Sequence, residues 1–158
     1  MLPNQAAFLS VVSRSEGTYL AADPYRVVYG FSHTIADLRD HPAITGEWMG
    51  ESIAKLGPAY IGKISTAAGR YQINRPTWEE CKLALRLPDF TGPSQDDAAL
   101  WLIKRAGALD AIAAGDLYTA IELCSGIWAS FPGSTSGQPV ARMAALISTF
   151  SLEGGRPA

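Results

Sequence analysis

The sequence predicts a mainly α-helical α+β domain, and three observations carry that prediction. An apolar run at Phe8-Leu9-Ser10-Val11-Val12 reads as one face of a short helix. Residues from about 20 to 74 are broken by glycines and prolines and hold only short strand-like pieces. From Pro76 onward the apolar residues recur with helical spacing almost to the end of the chain. At 158 residues the chain fits one domain, 1–158, long enough to bury a core and too short for two substantial ones. Nearly half of it is apolar and aromatic residues run from end to end, so it should fold compactly.

The first helix should stop at Gly17, since glycine adopts the left-handed conformation that ends helices. In the irregular segment, Tyr25-Arg26-Val27-Val28-Tyr29 before Gly30 reads as a strand and turn, and Ala59-Tyr60-Ile61 as another strand fragment. A helix follows from Pro76, with Trp78, Cys81 and Leu85 on one face and Pro88 beyond its end. "SQDD" at 94–97 matches a capping box with Ser94 as cap. The run from Ala98 to Ile103 is apolar all round, which suits a helix buried on most sides until Gly107 breaks it. A short helix over 108–114 comes next, and Asp116 should cap another whose Leu117, Ala120, Ile121 and Cys124 share a face. "FPGSTSGQP", 131–139, is a loop by composition. Val140, Met143, Ala144, Ile147 and Phe150 predict a last helix before a Gly-Gly-Arg-Pro tail expected to fray.

Composition excludes several classes of function. A formal net charge of −2 leaves no basic stripe to neutralise phosphates, so nucleic acid is not an expected partner. The N-terminus lacks a basic stretch followed by an apolar one, and no run reaches the roughly 18 apolar residues of a membrane span. The expectation is a protein made and left in the cytosol unless something releases it, without stable membrane association. Cys81 and Cys124 are far apart and fall on apolar helical faces, so reduced, buried thiols are expected and no disulfide is supported. His33 and His41 lack metal-ligand spacing and no cysteine pair supports them, so neither a metal nor another cofactor is expected. A cysteine nucleophile would need an activating histidine, and nothing marks one for Cys124.

Carboxylate chemistry remains. Glu16 lies just before the glycine that stops the first helix, where the partial negative charge of a helix end disfavours an anion by roughly 0.3–1 kcal/mol. Such a carboxyl is either an ordinary solvated glutamate or one whose proton is harder to lose, as a general acid requires. A second stretch, "STAAGRYQI" at 65–73, joins a small-residue turn to Tyr71 and Gln72. Alone, it could be a loop in which Gly69 permits close backbone approach while Tyr71 and Gln72 fill the core.

"SEGT" at 15–18, "DHP" at 40–42, "STAAGRYQ" at 65–72, "SQD" at 94–96, "RAGAL" at 105–109 and "CSGIWASFPG" at 124–133 occur in the order and style of the phage lambda endolysin family. The sequence resembles that family over most of its length. Its members are lysozyme-like lytic transglycosylases, so the resemblance implies a lysozyme-like fold in which a small β-containing lobe and a larger helical lobe flank a cleft. It implies that Glu16 is the catalytic acid and that Tyr71, Gln72, Trp128 and Ser130 lie along a glycan groove. The partner implied is peptidoglycan, met by a monomer that a holin allows to reach the wall in the periplasm. Asp40 and His41 match a family motif for which a structural role is at least as good a reading. The segment 43–64 is longer than the family pattern, and an alanine replaces the first glycine of the "STAAGRYQ" turn.

That family cleaves the β-1,4 bond between N-acetylmuramic acid and N-acetylglucosamine without water. The muramic C6 hydroxyl attacks its own anomeric carbon, leaving a 1,6-anhydro end, so one carboxyl can serve as acid and then as base. Hydrolytic glycosidases usually set two carboxyl groups across the bond. Phage lysozymes of the T4 type place an acidic or cysteine residue nine positions after the glutamate and a threonine six further on. Here those positions hold Tyr25 and Phe31, although Asp23, Asp37 or Asp40 could approach in three dimensions. The alternatives are a hydrolytic muramidase and a glycan-binding module without activity on the same scaffold.

Overall fold

The structure, a computed structural model, describes residues 1–136 and 139–158. The described chain divides into two compact units, one of residues 1–19 with 99–158 and the other of residues 20–98. It is mostly helical with one two-stranded antiparallel sheet.

In the first unit, helix α1 (Pro3–Ser15) starts with proline in its first turn, where the missing N–H is no loss. It buries Ala7, Phe8, Leu9, Val11, Val12 and Ser13 against the later helices α5 (Leu109–Ala114) and α7 (Met143–Leu152). Gly17, at φ +76°, ends α1 as its position predicts. Asp116 caps α6 (Leu117–Cys124) by accepting from the Thr119 N–H, and Leu117, Ala120, Ile121 and Cys124 are all buried. Val140 lies outside the last helix and is exposed. The tail does not fray. Gly155 packs against the Phe150 ring, the Arg156 N–H donates to Asn4 Oδ1, and the Ala158 N–H donates to the Gly115 carbonyl. Of the predicted loop 131–139, residues 131–136 and 139 form neither helix nor strand, and 137 and 138 lie outside the described residues.

The second unit corrects two predicted strands. Pro24–Arg26 forms a single 3-10 turn, because Asp23 accepts from the Tyr25 N–H and Pro24 fixes the turn's φ, so only Val27 and Val28 make isolated β-bridges, to Thr34 and Ala68. Pro58–Tyr60 is likewise a 3-10 turn. The strands are instead β1 (Glu51–Ser52) and β2 (Ile64–Ser65), with Glu51 opposite Ser65 and Ser52 opposite Ile64. The segment 43–64 holds β1 and several turns, and leaves Met49, Ile61 and Ile64 exposed. A short helix, α2 (Pro42–Thr45), was not evident from the sequence. Helix α3 (Arg75–Leu85) buries Trp78 and Cys81 and ends at Arg86, φ +55°, two residues before Pro88.

Helix α4 (Gly92–Arg105) runs from the second unit into the first. It begins before Ser94, so Ser94 is not its cap. Asp89, ahead of the helix, accepts from the Thr91 N–H and from the Thr91 and Ser94 hydroxyls. Ala98, Ala99, Leu102 and Ile103 are buried, while Trp101 is half-exposed beneath the Arg105 guanidinium, 4.6 Å from its ring centroid. Cys81 and Cys124 are both buried, and neither forms a disulfide.

The "DHP" residues are structural. Asp40 accepts from the indole N–H of fully buried Trp78 at 2.9 Å and from the His41 N–H, and pairs with Lys82. His41 Nδ1 accepts from the Ala43 N–H, so its proton sits on Nε2, which donates to the Ile73 carbonyl at 3.0 Å. Burial lowers its pKa to about 4, and the ring, edge-on to Phe90, stays neutral. Asp40→Ala should therefore lose about 1–3 kcal/mol of stability, since it leaves the indole N–H unpaired. Denaturant unfolding monitored by tryptophan fluorescence measures that loss.

Candidate active site

Glu16 is the C-terminal cap of α1, its N–H donating to the Val12 carbonyl at 3.0 Å. The rest of "SEGT" holds this corner. The Ser15 hydroxyl turns back to the Val12 carbonyl at 3.0 Å, Gly17 takes the left-handed turn, and the buried Thr18 hydroxyl meets the Ser13 hydroxyl at 2.9 Å. Arg14 stacks on the Tyr19 ring at 4.1 Å.

From 114 residues away in sequence, Ser130 brings its hydroxyl to 2.6 Å from Glu16 Oε1 and 2.9 Å from Ser15 Oγ. An aromatic row in the first unit fixes that meeting. Trp128 packs edge-on to Phe131, with centroids 5.9 Å apart, and Phe131 packs on Phe8 of α1 at 6.0 Å. The main chain is pinned too, because the Ala141 N–H donates to the Ser130 carbonyl at 2.8 Å. Burial raises the Glu16 pKa from 4.5 to about 7, against a smaller lowering by the Ser130 hydrogen bond. Burial is thus what holds this proton against the donor that Ser130 supplies.

In the second unit, the "STAAGRYQI" turn is built by its own backbone and by α4. Ala68 bridges both Val28 and Ile73, and the Gly69 N–H donates to the Val27 carbonyl at 2.7 Å. Gly69 has φ +77°, and a Cβ there would overlap Gln95 Oε1, so glycine is required on both counts. Gln95 is the turn's clamp. Its Oε1 accepts from the Arg70 N–H at 2.9 Å, while its Nε2 donates to the carbonyls of Tyr25 and Phe90. Asp96 Oδ1 accepts from both the Tyr71 and Tyr25 hydroxyls, and the Tyr25 oxygen accepts from Arg70 Nη1 at 2.9 Å. Burial pushes both phenols' pKa values up, so they remain donors.

Of the residues the family resemblance places along a groove, Tyr71 is fully buried and Trp128 nearly so. Their rings support neighbours. Gln72 and Ser130 keep partial exposure. Gln72 holds the unusual φ of +47°, its N–H and Nε2 both directed at the Gly69 carbonyl. Sequence reasoning missed Ser15, Tyr25, Gln95, Asp96 and Phe131. Gln95 and Asp96 were within reach, since two polar residues opening an apolar helix ask for partners, whereas nothing local marks Tyr25. Asp23, Asp37 and Asp40 each have partners in their own unit: Arg26, Arg39 and Lys82. Among the described residues, no group of three or more His, Cys, Asp or Glu could hold a metal, and no helix is long and apolar enough to cross a membrane.

Lysozyme from bacteriophage lambda has the same fold: a structure of it complexed with a chitohexasaccharide superposes with a TM-score of 0.85 at 36% identity, covering 100% of this chain and 98% of that one. A second lambda lysozyme structure gives a TM-score of 0.83 at 34% identity, again over 100% of this chain and 98% of that one. The fold is thus the α+β fold of the lysozyme type. The endolysin family model matches residues 6–157, and the endolysins of Escherichia phages P2 and lambda are each 38% identical, over 98% and 94% of this chain and 95% and 90% of their own. The chain belongs to the endolysin family.

The raised Glu16 pKa has a consequence for stability. The folded value, about 7, lies above the ordinary 4.5, so this group's contribution is full below pH 4.5 and is lost as pH rises through 7. Relative to Glu16→Gln, which does not titrate, the native chain should lose about 3 kcal/mol between about pH 4 and about pH 8. Paired denaturant titrations of the two proteins at both pH values measure the difference.

Proposed function

We propose that the protein is a peptidoglycan lytic transglycosylase that lyses the host cell, with Glu16 as its acid and base. The observation that carries this reading is a glutamate held at a pKa of about 7 in a partly buried corner where its hydrogen-bond partner is a hydroxyl rather than a cation. A carboxyl titrating near neutrality can give a proton and take one back. Glu16 protonates the glycosidic oxygen as the bond from it to the muramic anomeric carbon breaks. The Glu16 carboxylate then takes the C6 hydroxyl proton while O6 bonds to that carbon, so no water is consumed and the acid is regenerated. Nucleophile and electrophile sit on one sugar, which makes ring closure a proximity-assisted step.

The family match supports a wall-cleaving enzyme, and the related lambda lysozyme in complex with a chitohexasaccharide supports a glycan substrate. Tyr25 and Phe31 at the positions where T4-type lysozymes carry their second set of active residues favour the route without water over hydrolysis. We assign Gln72 and Ser130 to the sugar's side and Tyr71 and Trp128 to holding them. The enzyme needs no cofactor, acts as a monomer and reaches the wall when a membrane-permeabilising holin admits it.

Digestion of purified peptidoglycan followed by mass analysis of the soluble fragments should give 1,6-anhydro-muramic ends. Reducing ends would establish a muramidase, and an absence of fragments a binding module. Glu16→Gln should keep the fold and lower the rate at least about a hundredfold, the usual scale of general acid catalysis. Appreciable turnover by that variant removes Glu16 from its role.

A further inference from the structure

Three short hydrogen-bonded links run in a row from the carboxyl: Glu16 Oε1 to Ser130 Oγ at 2.6 Å, Ser130 Oγ to Ser15 Oγ at 2.9 Å, and Ser15 Oγ to the Val12 carbonyl at 3.0 Å. Each link needs one hydrogen, and the two serines supply two. The third can come only from Glu16. With a protonated carboxyl the row is complete and points one way, Glu16 donating to Ser130, Ser130 to Ser15 and Ser15 to Val12. With an ionised carboxyl Ser130 must turn to face it, and Ser15 turns to donate to Ser130. The Val12 carbonyl then still accepts from the Glu16 N–H at 3.0 Å, so this reversal leaves no carbonyl bare.

We propose that Ser15 and Ser130 form a reversible hydroxyl relay that satisfies Glu16 in both protonation states, with Ser15 as a positioning residue acting through Ser130. The inference rests on the reading of Glu16 as a carboxyl that works twice, and it names the device that lets it do so. No charge competes with the relay from the elements that build it. Arg14 is turned onto Tyr19, and residues 124–133 carry no charged side chain.

The relay makes the two serines act in opposite directions. Without the Ser130 hydroxyl the ionised form loses a charge-assisted donor, the stronger of the two bonds, and the proton is held more tightly. Without the Ser15 hydroxyl the protonated form suffers more, because the Ser130 hydrogen loses its acceptor in the row, whereas the ionised form keeps its donor and loses only a bond to a lone pair. A merely structural pair of serines would give no such opposition.

Carbon-13 NMR titration of the glutamate carboxyls in the full chain, without substrate, tests this, with Glu16 assigned by its disappearance in Glu16→Gln. Ser130→Ala should raise the Glu16 midpoint by about one pH unit and Ser15→Ala should lower it by about half a unit. The double variant should match Ser130→Ala alone, and Ser15→Thr, which keeps the hydroxyl, should keep the native value. Should Ser15→Ala fail to fold, Ser15→Cys, a weak donor of similar shape, should move the midpoint in the same direction. Movement of both single variants in one direction, an unmoved midpoint in Ser15→Ala or Ser15→Cys, or additive effects in the double variant would overturn the relay. Because the titration needs no substrate, it separates failure of the relay from failure of the enzymatic reading, which peptidoglycan digestion decides.

Discussion

The hydrogen bond from Ser130 to Glu16 is the constraint around which the first unit is arranged. A carboxyl withdrawn from water is costly when ionised, and a chain that buries one must either neutralise it or supply donors. Here the donor arrives from the far end of the sequence, and the aromatic row Phe8, Phe131, Trp128 delivers it. Two of those rings come from the segment that carries Ser130 and one from the helix that Glu16 caps. Packing and chemistry are thus one construction, and loosening the row would move the hydroxyl away from the carboxyl.

The second unit solves a different problem by similar means. Its turn at 65–73 has two residues at positive φ, Gly69 and Gln72, and little regular secondary structure around it to absorb the strain. Buried polar side chains stand in for a sheet. Gln95 fills three backbone hydrogen bonds with one amide, and Asp96 gathers two phenols whose rings flank Arg70. The three residues of "SQD" therefore do three separate jobs, Ser94 binding Asp89 ahead of the helix while its neighbours hold the turn. Without those bonds, the backbone that carries Gln72 would have nothing to keep it out of the ordinary negative-φ regions.

Much of this was legible in the sequence, and the parts that were not have physical reasons. Helices with a clear apolar face were located because burial repeats along the chain, although Leu85 and Ala144, expected on buried faces, are exposed and Val140 lies outside the last helix. Residues 25–29 and 59–61 looked like strands because β-branched and aromatic residues favour them, but Pro24 and Pro58 opened turns that local propensity does not outweigh. The tail was misread because its anchors, Asn4 and Gly115, lie far away in sequence. Glu16 was legible as a question, a carboxyl at a helix end, and the family resemblance supplied its role. Burial, the cause of its raised pKa, involves a segment more than a hundred positions away and has no local sign.

The choice of a hydroxyl as partner follows from the work asked of the carboxyl. A lysine or arginine beside Glu16 would stabilise its ionised form, drop the pKa well below neutrality and leave no proton to give. An apolar wall alone would raise the pKa further and make the carboxylate reluctant to form, which suits an acid but hinders the return of the proton. A serine can donate to the anion or accept from the acid, and a second serine behind it allows the first to turn without being stranded. Burial sets the carboxyl high, one neutral bond brings it back toward neutrality, and the chain thereby holds a single group near the pH at which giving and taking a proton are about equally accessible.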